Sequence, residues 1–184
     1  MKPAPLVFLV LFLAATISAQ QPNAPKGGAP MSSFTLAAPA FGSGAAIPDE
    51  YTCRGSDISP VLAWSGEPAK TASFALIVDD PDAPAGTWVH WVIWNIPANM
   101  QLLPKDVIKS GSLSNGASQG LNDFGKVGYN GPCPPPGKTH RYFFRLYAVD
   151  VKFSLQPGAK RHDLDAAMKG HILDKAEHMG TFRR

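Results

Sequence analysis

From Phe34 onward the chain alternates short apolar runs with breaks rich in glycine and proline, a rhythm that spells strands rather than helices. Residues 61–65 (VLAWS) form one short run, and residues 71–78 (TASFALIV) a longer one that halts at Asp79-Asp80-Pro81, where proline cannot donate to a ladder. Residues 87–96 (TWVHWVIWNI) place Trp88, His90, Val92 and Trp94 on one face and Val89, Trp91 and Ile93 on the other. Both faces are apolar, so this strand is expected to be covered on two sides. Residues 141–150 (RYFFRLYAVD) make a second strong strand, rich in aromatics. Helical spacing surfaces only near the end. Asp163 offers an N-cap, Leu164, Ala167, Met168, His171, Ile172 and Met179 recur at helical intervals, Gly180 supplies a stop, and Thr181-Phe182 returns to strand. The connection over residues 97–138 is long and glycine-rich, a length that goes with function or with disorder. Several strands with sparse helix predict a mainly β domain, a β-sandwich or Greek key.

The first residues do not belong to that pattern. Lys2 precedes an apolar run from Leu6 to Ala15, and Ile17-Ser18-Ala19 places small residues before Gln20, the layout of an export signal cleaved after Ala19. The run is shorter than the roughly 20 residues a membrane span requires. Residues 1–19 are therefore read as a signal peptide, residues 20–32 (QQPNAPKGGAPMS) as a flexible lead-in, and residues 33–184 as one domain. The expected location is periplasmic or secreted, and no transmembrane segment is expected in the mature form. Formal charge is +3, or +2 without Lys2, and the basic residues are scattered apart from Arg183-Arg184. That distribution excludes the concentrated basic footprint of a nucleic-acid binder. Cys53 and Cys133 are the only cysteines. An oxidising compartment permits a bridge between them, and the sequence leaves both the bridge and two free thiols open.

Three clusters carry candidate chemistry. Asp79-Asp80-Pro81-Asp82-Ala83-Pro84 is a turn stiffened by two prolines, Trp88-Val89-His90 opens the following strand, and Tyr129-Asn130-Gly131-Pro132-Cys133-Pro134 leads to His140-Arg141-Tyr142. Two imidazoles beside a carboxylate, with a tyrosine hydroxyl and loop N–H groups, would complement a phosphate-sized anion. Such binding would weaken as pH rises through the imidazole range if protonated histidine carries it. Residues 131–139 (GPCPPPGKT) imitate a phosphate loop, but four of them are prolines that lack the N–H such a loop needs. There is no His-Glu-x-x-His pair. Asp80, His90 and His140 are also ligand types for iron or zinc, a third and weaker reading as a metal-dependent enzyme.

Residues 79–97 (DDPDAPAGTWVHWVIWNIP) and 128–150 (GYNGPCPPPGKTHRYFFRLYAVD) resemble the two signature blocks of the phosphatidylethanolamine-binding protein family. Residues 51–66 (YTCRGSDISPVLAWSG) and 170–182 (GHILDKAEHMGTF) are similar to its bacterial and archaeal, Raf-kinase-inhibitor-like branch. The resemblance implies an antiparallel Greek-key β-sandwich with few short helices and one small anion pocket. By motif that pocket would be formed by Asp80, His90, Gly131, Pro132, His140 and Tyr142, with Asp82, Trp88 and Tyr129 supporting its wall. It implies a non-enzymatic binder of a small anion or phosphorylated headgroup without cofactor or metal, able to modulate a partner protein. The alternative is an inhibitor of a secreted or periplasmic hydrolase. Eukaryotic members of the family continue into a C-terminal helix that closes over the pocket, so a more open mouth is expected where that helix is lacking.

Overall fold

The computed structural model of the chain describes Met1 and residues 33–184, so the signal peptide and lead-in read from the sequence lie outside the described residues. Strands β1 (Thr35–Ala37), β2 (Leu62–Ser65) and β5 (Leu102–Leu103) form a small antiparallel sheet in the order β1-β2-β5. The second sheet has six strands. It is built from β3 (Ser73–Asp80), β4 (Trp88–Pro97), β6 (Ser118–Leu121), β7 (His140–Val149), β8 (Gly158–Lys160) and β9 (Ile172–Phe182), in the order β8-β6-β4-β3-β7-β9. All described ladders are antiparallel except β6–β8, which is parallel, so the large sheet is mixed at one edge. A 3-10 turn (Asp49–Tyr51) and a single helix, α1 (Arg161–Met168), complete the described elements. The mainly β architecture agrees with the apolar runs. Among the described residues no helix is long and apolar enough to cross a membrane.

β3 explains the layering. All eight of its residues are buried, because it is central in its sheet and both faces are covered. On one face Leu36, Leu62, Trp64 and Leu103 of the small sheet share a core with Phe74, Leu76, Trp91, Phe144 and Leu146 of the large one. On the other, Ala75, Ile77, Val92 and Trp94 pack against Phe153 and against Leu164 and Met168 of α1. Each large apolar side chain sealed this way contributes about 1.5–3 kcal/mol relative to exposure.

The C-terminal region departs from the helical reading. α1 ends at Met168, Gly170 turns the chain at φ +85°, and residues 172–182 run as a strand paired with β7 from Val149↔Ile172 to His140↔Phe182. Ala176, His178, Gly180 and Phe182 alternate inward, a period of two that the helical spacing of Met168, Ile172 and Met179 conceals. Without β9, the edge of β7 would stand open as a row of unpaired backbone groups. Gly180 is no helix stop. A Cβ there would come within 2.5 Å of Ile47, so the position is small because a preceding segment crosses it. Asp163 sits three residues inside the start of α1, where its carboxylate accepts the Lys160 N–H at 2.9 Å, closing the first turn from within.

The long connection is ordered. β5 and β6 lie within it, and the buried Gln119 donates from its amide to the carbonyls of Ile108 and Ser110, both at 2.7 Å. Its amide oxygen accepts the Trp91 indole N–H at 2.6 Å. A buried side-chain amide thus supplies the partners that a regular ladder would have given.

Candidate functional site

The pocket forms where β3, β4 and β7 end together. β3 alternates strictly, so Asp79 points to the α1 side and Asp80 to the side of the sandwich core. β4 does not alternate strictly. Val78 faces Trp91 and Asp79 faces Val89, which leaves His90 as the extra residue of a β-bulge. The bulge shifts the phase of the residues that follow, until a second irregularity between the Leu76↔Ile93 and Phe74↔Ile96 pairs shifts it back and Ile96 rejoins the sandwich core. Val92 and Trp94 join Val89 on the α1 side, while Trp91 and Ile93 enter the sandwich core. The single face assigned by alternation to Trp88, His90, Val92 and Trp94 is thereby split, and Trp88 and His90 remain at the pocket.

A cavity of about 330 Å³ is lined by Asp80, Trp88, His90, His140 and Tyr142, with Ala83, Pro84, Ala85, Phe124, Cys133, Pro134 and Pro135 as its apolar wall. Asp80, His90 and His140 are buried, with 3%, 2% and 5% of their surfaces exposed. His140 Nδ1 donates to Asp80 Oδ2 at 2.8 Å, and Asp80 Oδ1 accepts the Asp82 N–H at 2.8 Å. His90 Nδ1 lies 2.7 Å from the carbonyl oxygen of Asn130, which can only accept, so the proton sits on Nδ1. With both Nδ1 atoms committed, Nε2 of each ring is left for a ligand. Burial holds the His90 pKa below the ordinary imidazole value, opposed by the Asn130 carbonyl and the Asp80 charge.

Two donors in this lining have no protein partner. The buried Tyr142 hydroxyl and the Trp88 indole N–H both lack a hydrogen bond among the described residues. Burial, and next the Asp80 charge, push the Tyr142 pKa well up, so the hydroxyl keeps its proton. The Asp80 carboxylate also draws on the hydroxyl as a hydrogen-bond acceptor, at a geometry too poor for a formed bond. The Tyr142 ring meets His90 edge-on at 5.2 Å, and Phe124 meets both His90 at 5.2 Å and Trp88 at 5.5 Å in the same manner.

Pro132, Asp82 and Tyr129 lie outside the lining and act one layer back, while Gly131, also outside it, meets His90 through its backbone and favours the protonated ring. The Gly131 N–H donates to Asp57 Oδ1 at 2.6 Å, and a Cβ there would come within 2.0 Å of the Tyr51 carbonyl. Pro132 accepts the Cys53 N–H at 3.1 Å. The Tyr129 hydroxyl donates to the Tyr51 carbonyl at 2.7 Å. Asp82 accepts three bonds from Arg141, through the backbone N–H, Nε and Nη2, which clamp the turn after β3 to the start of β7. The Arg141 guanidinium lowers the Asp82 pKa to about 2. Cys53 and Cys133 form a disulfide with a Cα–Cα distance of 5.4 Å, fixing the proline-rich loop to the 3-10 turn region. Among the described residues no three His, Cys, Asp or Glu side chains are grouped to hold a metal ion.

Sequence reasoning missed Phe124 and its mount. Asn122 Oδ1 accepts the N–H groups of Phe124 and Lys126 at 3.0 and 3.1 Å, and its amide donates to Gly128 O and Asn130 Oδ1, both at 2.9 Å. An Asn-Asp-x-Gly turn was the available signal, hidden among the other glycines of a long connection.

The family profile described as phosphatidylethanolamine-binding protein matches residues 37–183. The chain belongs to the phosphatidylethanolamine-binding protein family. A UPF0098 protein of Methanothermobacter thermautotrophicus is 52% identical over 145 residues, covering 79% of this chain and 95% of its own. One from Aquifex aeolicus is 48% identical over 160 residues, covering 86% and 91%. Among solved structures, a phosphatidylethanolamine-binding protein homolog from Chlamydia trachomatis aligns with a TM-score of 0.76 at 39% identity, over 84% of this chain and 99% of that one. Escherichia coli YbcL, a member of the mammalian PEBP family, aligns at 0.78 with 34% identity, over 83% and 99%. The site lies within the span that the family profile covers.

Proposed function

We propose that this family member is an exported, non-enzymatic binding protein that holds a small anion or phosphorylated group in the pocket of Asp80, His90, His140, Trp88 and Tyr142. The carrying observation is the pair of buried donors without a protein partner, the Tyr142 hydroxyl and the Trp88 indole N–H, beside two imidazoles whose Nδ1 atoms are already committed. A buried donor left unpaired costs about 1–3 kcal/mol, and an anionic oxygen in the cavity would satisfy it. Once protonated, His90 and His140 would add charge-assisted donors through Nε2. Export is supported by the N-terminal pattern and by the Cys53–Cys133 disulfide, a bond that persists in oxidising compartments. Titration with inorganic phosphate and phosphorylethanolamine, followed by tryptophan emission, is expected to give a saturable change. His140→Ala and His90→Ala are expected to weaken binding at least tenfold. No response up to roughly 10 mM ligand, the range of the weakest specific binding, would overturn the reading.

A further inference from the structure

We infer that the pocket selects organic phosphates that carry a flat apolar substituent, with Phe124 as the residue that sets this preference; the inference rests on the anion-binding reading of the same cavity. The polar atoms left for a ligand are few and gathered, namely the Tyr142 hydroxyl, the Trp88 indole N–H and the Nε2 atoms of His90 and His140. The remaining wall is Ala83, Pro84, Ala85, Phe124, Pro134 and Pro135. Among the described residues no Lys or Arg lines the cavity. Both oxygens of Asp80, its one carboxylate, are already engaged, by the Asp82 N–H and by His140. A charged amine on the ligand therefore meets no free counter-ion, whereas an apolar ester group meets apolar surface on several sides. Volume agrees. An apolar cavity of about 150 Å³ suffices for benzene, and the 330 Å³ here holds a ring of that size together with a phosphate-sized anion. Two acyl chains would not fit beside them.

Phe124 is held in place for such a contact. It lines the cavity, and 38% of its surface is exposed. The Asn122 turn fixes its backbone, Gly125 closes that turn at φ +70°, and the ring rests edge-on against Trp88 and His90. A large aromatic kept partly open at a cavity with apolar walls can cover one more ring, and a fixed ring loses little entropy when it does so.

Isothermal titration of the protein with inorganic phosphate, phosphorylethanolamine and phenyl phosphate tests this. Phenyl phosphate is expected to bind about tenfold tighter than either of the others, a gain that burial of roughly 55 Å² of ring supplies. Phe124→Ala is expected to remove most of that gain, read within the variant as the ratio of phenyl phosphate to inorganic phosphate affinity, and Phe124→Tyr to keep it. Circular dichroism confirms that the variants are folded. Phosphate binding with no advantage for the phenyl ester overturns the inference and leaves the anion reading intact. Silence toward all three ligands overturns both. Retention on phosphatidylethanolamine vesicles without phenyl phosphate binding also overturns the inference and assigns the site to a lipid surface.

Discussion

Burial biases His90 and His178 in the same direction. Each has a folded pKa held below the ordinary 6.5, chiefly by desolvation, with a backbone carbonyl opposing the shift. The unfolded chain therefore takes up these protons first as pH falls below about 6.5, and stability declines from neutral pH toward pH 5. Asp82 behaves oppositely. Its folded pKa of about 2 lies below the ordinary 3.8, so its contribution is complete above 3.8 and is lost only as pH falls through about 2. It adds no slope between pH 5 and 7. Urea unfolding should show a lower midpoint at pH 5.5 than at 7.5, with a smaller drop in His178→Gln; equal midpoints for the parent protein would contradict this account. The ligand reverses the bias at His90, because an anion held through Nε2 requires a proton there. Sulfate, which does not titrate in this range, should bind more weakly as pH rises from 5.5 to 8. A flat profile would place the holding force on Tyr142 and Trp88 instead.

At the scale of elements, strand alternation gives two adjacent aspartates different work. Asp79 is 1% exposed and accepts from Arg145 Nη1 and, at 2.6 Å, from Arg161 Nη1, so it ties α1 to the sheet and β3 to its neighbour β7. Asp80, one residue on, orients His140 from the opposite face. Asp79→Ala leaves two arginines without their buried partner and should cost about 3 kcal/mol, read by chemical denaturation, with phosphate affinity changed less than twofold. Asp80→Ala should do the reverse in kind, lowering phosphate affinity at least tenfold by releasing the His140 ring. Equal binding losses in both variants would refute the division. The sequence marked both residues but could not separate their faces until the strand end was known. It placed the strong strands within about two residues, because their apolar runs are continuous. It misassigned residues 172–180, where Ile172 and Met179 prolong the helical spacing of α1 and only pairing with β7 decides for strand. It also missed the phase shift in β4, since a bulge such as that at His90 is set by the partner strand rather than by composition.

For the whole molecule, the pocket depends on segments far apart in the chain, and one covalent link spans most of that distance. The Cys53–Cys133 bridge joins residues 80 positions apart and carries Cys133 into the pocket wall. Closing a loop of that length removes unfolded-state entropy equivalent to about 4.5 kcal/mol, a large share of the stability of an ordinary domain. Noncovalent ties act at the same junction: the Gly131 N–H on Asp57, the Cys53 N–H on Pro132, and Tyr129 on Tyr51. They hold the loop in the folded state, whereas the bridge acts chiefly on the unfolded one. The double variant Cys53→Ser/Cys133→Ser should thus unfold at much lower urea concentration, by several kcal/mol in stability, yet bind phosphate within about threefold of the parent protein under native conditions. Loss of affinity with unchanged stability would mean that the bridge shapes the pocket directly and that the surrounding hydrogen bonds do not suffice to hold Pro134 and Pro135 against it. Gly131→Ala provides the contrasting case, since its Cβ would run into the Tyr51 backbone. That substitution should disturb the loop in the folded state and lower affinity and stability together.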